Sequence, residues 1–163
     1  MNLNLKILVD ADACPVKSEI INIGLKFNLQ IIFVTNINYN LRETMKNHSS
    51  QAIKNGKIEF LIVDNRADSV DFAIVNRVKK NDIVVTQDYG LSAMVLSKNG
   101  FAISPTGKIF NNQNITAYLE KRHLARKERK KGIRTRGPKA FSKEDRLRFE
   151  KQFETLVRKI LSP

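Results

Sequence analysis

Short apolar stretches alternate along this chain with segments of helical periodicity, and that alternation is the feature that most limits the possible folds. Five stretches rich in Ile, Val, Leu and Phe have the length of buried strands: residues 5–9, 29–34, 58–63, 82–86 and 101–105. Apolar residues at every third or fourth position mark the predicted helices 15–27, 68–80 and 89–97. The pattern predicts an α/β fold, with a Rossmann-like, mainly parallel sheet of about five strands flanked by helices.

Residues 36–57 are rich in Asn and Ser and interrupt this pattern. Two alternatives remain open for this stretch, a helical turn at Leu41–Met45 and a loop.

After Gly107 the pattern changes to helix, basic loop and helix. Helices are predicted at 114–131 and 142–161, and Ser142–Asp145 is typical of a capping sequence for the second one. Its apolar residues, which we expect to dock on the core, are Leu147, Phe149, Phe153, Leu156, Val157 and Ile160. At this length we expect one domain spanning 1–163, with an α/β core at 1–110 and a basic helical extension docked on it at 111–163.

The net charge of +13 is concentrated in the C-terminal quarter. Residues 1–120 hold 13 Lys and Arg against 11 Asp and Glu, whereas residues 121–163 hold 16 against 5. Such a surplus attracts polyanions through counterion release, so we expect a nucleic-acid partner, RNA in the first instance. A solvated helix surface that only aids solubility is the alternative. The candidate contacts are Lys17, Arg122, Arg126, Lys130, Arg134, Arg136 and Lys139.

Several classes of protein are disfavoured by the composition. No apolar run approaches the roughly 20 residues that cross a bilayer, and the N-terminal residues lead into a strand rather than a signal peptide. A lone Cys14 forms no internal disulfide, and His48 and His123 stand outside any zinc-binding spacing. We therefore expect a cytoplasmic protein without membrane contact.

Aspartates follow several predicted strands, at the edge where parallel α/β sheets bind ligands. Asp10 and Asp12 follow the first strand, Asp88 follows the fourth, and Asp68 and Asp71 begin the helix after the third. Clustered carboxylates repel one another unless a divalent cation compensates their charge, and oxygen ligands favour Mg²⁺ or Mn²⁺. Such a site can polarise a phosphodiester and activate water. The constellation therefore indicates a metal-dependent phosphodiesterase or nuclease.

Each of these acids also has a structural alternative. Asp68 and Asp71 are compatible with an N-cap and a first-turn charge, and Asp88 with a cap for the helix that begins at Tyr89. Cys14 lies where a helix N-terminus would stabilise a thiolate, but the neighbouring acids oppose ionisation, so a buried structural role is the interpretation.

Five sequence blocks resemble the YaiI/YqxD family of bacterial proteins. They are Val9–Lys17, Asp68–Asp71, Asp82–Leu91, Asn114-Ile115 with Leu119 and Arg122, and Gly137-Pro138 followed by Asp145-Arg146. The chain departs from the usual family pattern at Tyr89-Gly90-Leu91 and at Asn65-Arg66-Ala67.

The family is similar to the PIN-like nuclease superfamily. This resemblance implies a PIN-like sheet and an acidic pocket that binds Mg²⁺ or Mn²⁺ and cuts RNA or DNA. The metal ligands it implies are Asp10, Asp68 or Asp71, and Asp88. Together with the constellation of aspartates described above, it leads us to predict Asp10, Asp12, Asp71 and Asp88 as the catalytic acids.

Two other functions fit parts of the sequence. A non-catalytic nucleic-acid-binding protein with the same fold would use the basic segment 121–159 and no metal. An aspartate-based phosphatase would use Asp10 as nucleophile and Asp12 as general acid, but Cys14 occupies the position where such enzymes carry Thr or Val.

Overall fold

The computed structural model describes residues 4–36, 51–134, 137 and 139–162. Its labelled elements are, in chain order, β1 Lys6–Asp10, α1 Lys17–Lys26, β2 Gln30–Thr35, β3 Ile58–Ile62, α2 Ser69–Arg77, β4 Ile83–Val85, α3 Tyr89–Ser97, β5 Phe101–Ile103, β6 Ile109–Phe110, α4 Ile115–Lys130 and α5 Lys143–Leu161. Within these described ranges, no helix combines the length and the apolar character needed to span a membrane.

The strands described form one sheet in the order β3-β2-β1-β4-β5-β6. All neighbouring pairs are parallel except β5 and β6, which pair antiparallel. The chain moves outward from β1 through β2 to β3 and then returns to place β4 on the other side of β1. The sheet therefore has its switch point between β1 and β4, where α/β proteins commonly bind ligands.

Alternate residues of the central strands face opposite layers, because side chains on a strand point to opposite sides in turn. Ile7 and Val9 of β1 belong to an apolar cluster that also contains residues of α1 and α5, whereas Leu8 belongs to a cluster with residues of α2 and α3. Each of these three strand residues is fully buried. Helices thus cover both faces, which explains why the strands read as continuous apolar runs.

Helix α5 is part of this packing. Phe149, Phe153, Leu156, Val157 and Ile160 are buried in the cluster shared with α1 and β1. Gly107, at φ 89°, permits a close approach to α5, since a Cβ there would lie 2.9 Å from the backbone of Arg148 and Phe149. The prediction that Leu147 docks with the others is wrong, because its side chain lies off the buried stripe and is 58% exposed.

Apart from shifts of one or two residues at the ends of elements, the main differences between the sequence-based elements and the structure are the following. The helix predicted to reach Lys80 ends at Arg77, because Val78 is extended at φ −65° and ψ 134°. The short antiparallel strand β6 was not predicted, so the sheet has six strands in the described chain rather than about five. Residues 51–54 are helical, while the proposed turn at Leu41–Met45 lies outside the described residues.

Candidate acidic site at the sheet edge

Thr86 connects the two aspartates that flank the switch point. Asp10 is the last residue of β1, and Thr86 directly follows β4. The Thr86 hydroxyl donates to Asp10 Oδ2 at 3.0 Å and accepts the Asp88 backbone N–H at 3.0 Å. Because Thr86 is buried, this pair of hydrogen bonds fixes Asp10 against the start of the loop that carries Asp88.

Asp88 combines the two roles that the sequence left open. Its Oδ1 accepts the Leu91 backbone N–H at 3.0 Å, so Asp88 is the N-cap of α3, as the structural alternative predicted. The same oxygen lies 3.5 Å from Arg122 Nη1 on α4. Its side chain nevertheless lines a cavity of about 390 Å³ together with Asp10, Gln87, Tyr89 and Arg122.

The pKa values of Asp71 and Asp10 are both raised at this edge of the sheet, largely by burial and in part by the charge of Asp88. The pKa of Asp71 is raised to about 6, mainly by burial and also by the charges of Asp88, Asp10 and Asp68, against the opposing effect of Arg122. Burial also raises the pKa of Asp10; the hydrogen bond from Thr86 opposes that shift, while Asp12 and Asp88 add to it. Segments far apart in sequence therefore build one electrostatic cluster, which we call the acidic site: Asp10, Asp71 and Asp88.

Asp12 and Asp68 lie at the margins of the acidic site. The exposed Asp12 carboxylate accepts hydrogen bonds from the Thr35 hydroxyl and from the Asn36 backbone N–H, the latter at 3.2 Å, which holds it toward the end of β2. Asp68 is exposed at the N-cap position of α2 with a left-handed φ of 64°, and its side chain makes no capping hydrogen bond.

A second cavity, of about 670 Å³, adjoins the acidic site. Gln87 lines both cavities. Four basic side chains line the second one, which we call the basic cavity: Lys17, Lys108, Lys139 and Arg148. Sequence reasoning named Lys17 and Lys139 but missed Lys108 and Arg148, since Lys108 lies on the β5–β6 turn and Arg148 on a helix whose pattern is dominated by its apolar stripe.

The other predicted nucleic-acid contacts are distributed along α4. Arg122 is half-buried beside Asp88, whereas Arg126, Lys130 and Arg134 are exposed on α4 and the turn after it. Arg136 lies outside the described residues.

Cys14 has the structural role that the sequence indicated. The side chain is 5% exposed and belongs to the apolar cluster beneath α1. Burial raises the pKa of its thiol to about 11, so it is a poor nucleophile at neutral pH.

The acidic site has the donor chemistry of Mg²⁺ or Mn²⁺, since all its ligating atoms are carboxylate oxygens. In the parts of the chain that the structure describes, no group of three or more Asp, Glu, His or Cys side chains is arranged to hold one metal ion. The residues therefore fit an ion that is held by one or two carboxylates and by water molecules, as Mg²⁺ often is. They do not fit an ion whose ligands all come from the protein.

Comparison with known proteins assigns the chain to a family. The sequence profile described as "Uncharacterized BCR, YaiI/YqxD family" matches residues 8–159. The UPF0178 protein of Bacillus cytotoxicus is 40% identical over 157 residues, which cover 96% of this chain and 93% of the relative. The UPF0178 protein of Oceanobacillus iheyensis is 41% identical over 156 residues, covering 95% of this chain and 100% of the relative.

No solved structure matches the chain, so the PIN-like assignment stays a prediction. The match to the family profile covers nearly all of the chain, including Asp10, Asp71 and Asp88. The chain belongs to the YaiI/YqxD family.

Proposed function

We propose that this protein is a metal-dependent hydrolase of phosphodiester bonds in nucleic acid, RNA in the first instance. The observation that carries the proposal is that Asp10 and Asp88 line one cavity at the switch point of the sheet, where burial, together with the charges of these two residues, raises the pKa of the nearby Asp71 to about 6. A divalent cation would relieve the repulsion between these carboxylates.

Asp10 and Asp88 are the residues best placed to hold the ion, because both line the same cavity. Among the described residues, their hydrogen bonds use Oδ2 of Asp10 and Oδ1 of Asp88, which leaves the second oxygen of each carboxylate for a ligand. A bound Mg²⁺ or Mn²⁺ supplies Lewis acidity toward a phosphoryl oxygen and lowers the pKa of its water.

The other residues of the site have roles that do not require contact with the ion. Asp71, with its pKa raised to about 6, is mostly ionised at neutral pH and can accept a proton from water at a carboxylate oxygen. Thr86 is a positioning residue, since its hydroxyl orients Asp10. Arg122, 3.5 Å from Asp88, supplies positive charge beside the place where a phosphate would lie.

The test is hydrolysis of labelled single-stranded RNA and DNA by the purified protein with Mn²⁺ or Mg²⁺. Asp10→Asn and Asp88→Asn should each lower the cleavage rate at least about 100-fold. Asn is also a good N-cap residue, so the second variant keeps the start of α3. Asp64→Asn is the matched control, because Asp64 is exposed after β3 and does not line the cavity with Asp10 and Asp88. A panel of substrates left uncut by the wild type would refute the proposal.

A second candidate is nucleic-acid binding without catalysis, which the basic helix α4 favours. In α4 only Ile115 is buried, and the last turn carries Lys127, Arg129 and Lys130. RNA binding with steep salt dependence, together with an absence of cleavage in Mn²⁺, would favour this candidate over the hydrolase.

A further inference from the structure

The basic cavity is the strongest feature that the proposed reaction does not use. Its basic side chains come from four separate segments: α1, the β5–β6 turn, the loop before α5 and α5 itself. A solvated helix face would spread its charges along one element, whereas these charges border one concavity. The volume of about 670 Å³ lies within the roughly 300–1,000 Å³ that small-molecule sites occupy.

The described contacts leave a surplus of positive charge in this cavity. Two carboxylates also line it, Asp12 and Asp145. Asp145 is engaged in the capping box of α5, and its Oδ1 accepts from Arg148 Nη1 at 3.0 Å. Lys17 Nζ donates to the Cys14 carbonyl at 2.7 Å, and Lys108 Nζ lies 4.4 Å from the centre of the Tyr118 ring. Neither of these two contacts neutralises the lysine, so the cavity favours an anion.

An aromatic side chain in the wall of the basic cavity indicates which class of anion the cavity would bind. Phe141, which is half-buried, lines the cavity beside these cations. Positive groups that hold a phosphate next to an aromatic ring that stacks on a base are the usual combination for single-stranded nucleic acids.

We infer that the basic cavity is a subsite for one nucleotide of a single-stranded nucleic acid, with Lys139 and Arg148 on its phosphate and Phe141 against its base. Gln87 lines both cavities, so a strand in the basic cavity continues directly into the acidic site. This inference rests on the proposed function, because it takes the bound strand to be the one that is hydrolysed.

The experiment measures the anisotropy of a fluorescein-labelled single-stranded oligoribonucleotide in EDTA at increasing KCl. Lys139→Gln with Arg148→Gln should weaken binding about tenfold at low salt. It should also reduce the slope of log Kd against log salt by about 0.7, the value for one phosphate of a single strand that is no longer neutralised. Phe141→Leu should weaken binding at least about fivefold with an unchanged slope, since it removes stacking and no charge.

The matched control is Lys79→Gln with Lys80→Gln, which removes the same charge from two exposed lysines before β4, at the opposite edge of the sheet. Thermal unfolding verifies that every variant is folded. Equal binding by the cavity and control variants would overturn the inference. Because EDTA removes divalent ions, that result would leave Mn²⁺-dependent cleavage untouched, whereas an absence of cleavage with cavity-dependent binding would refute only the proposed function.

Discussion

At the scale of single residues, the environment of Asp71 is the most informative. Its folded pKa of about 6 lies above the ordinary value of 3.8, so the native state binds more protons than the unfolded state between these values. Stability from this group is therefore lost as pH rises through that interval, and the full penalty is present above about pH 6. The acidic site is thus destabilised at neutral pH while it lacks a cation.

Asp71→Asn should stabilise the protein above pH 6, because the amide carries no charge for its neighbours to repel. The expected gain is about 1 kcal/mol after allowance for solvent screening of a partly exposed group, or about 2–4 °C in Tm. Thermal unfolding at pH 7.5 and at pH 4 measures it, and the gain should disappear at the lower pH. The same gain in Asp64→Asn, or a gain independent of pH, would contradict the electrostatic explanation.

Stabilisation by Mn²⁺ should increase with pH, whereas the contribution of Asp71 to the stability of the metal-free protein falls as pH rises. The negative charge of Asp71 helps to attract the ion that Asp10 and Asp88 would hold, and Asp71 is mostly protonated below its pKa of about 6. We expect Mn²⁺ to raise the Tm more at pH 8 than at pH 5, and to raise it little in Asp10→Asn. A metal-induced shift of equal size at both pH values would place the ion away from these acids.

At the scale of the elements, Arg146 ties α5 to the turn after β1. Its Nη1 donates to Glu19 Oε1 at 2.7 Å and to the Pro15 carbonyl at 3.0 Å. Within the described chain, Glu19 Oε2 is buried without a hydrogen-bond partner, so this carboxylate depends on Arg146. The capping box of Ser142 and Asp145, which the sequence predicted, lies at the start of α5, in the turn that precedes Arg146.

Arg146→Met should lower the free energy of unfolding by about 1–2 kcal/mol, because it leaves the Glu19 carboxylate largely buried and unpaired. Urea denaturation measures the change. Adding Glu19→Gln should recover part of it, since the unpaired charge is then gone. In the comparison variant Arg158→Met, which breaks an exposed pair with Glu154, the expected loss is much smaller, because water screens the pair. Equal destabilisation in the two variants would contradict the special role of Arg146.

At the scale of the whole molecule, the C-terminal helix contributes to the same apolar cluster as β1 and α1. The division of the chain into a core at 1–110 and an extension at 111–163 that docks on it stays a prediction. The burial of Phe149 and Phe153 indicates how it can be tested.

A chain that ends at residue 141 should not fold cooperatively. It lacks five buried apolar side chains, whose burial contributes on the order of 10 kcal/mol, similar to the whole stability of a small domain. Circular dichroism during thermal unfolding would show the loss of a sharp transition. Ending the chain after Leu161 is the control and should leave the transition intact; a cooperative transition in the shorter chain would make α5 a dispensable appendage.

The sequence by itself determined the strand and helix alternation and the positions of Asp10 and Asp88, because local periodicity and the ends of parallel strands depend on nearby residues. Only the tertiary structure decided how distant segments meet. Thr86 links Asp10 to the loop that carries Asp88, and the Asp12 side chain lies toward Thr35. Strand β6 forms one edge of the sheet. It also placed Lys108 and Arg148 around one cavity and left Leu147 exposed. These features depend on how helices pack against the sheet, and the period of a single segment carries no information about its neighbours in space.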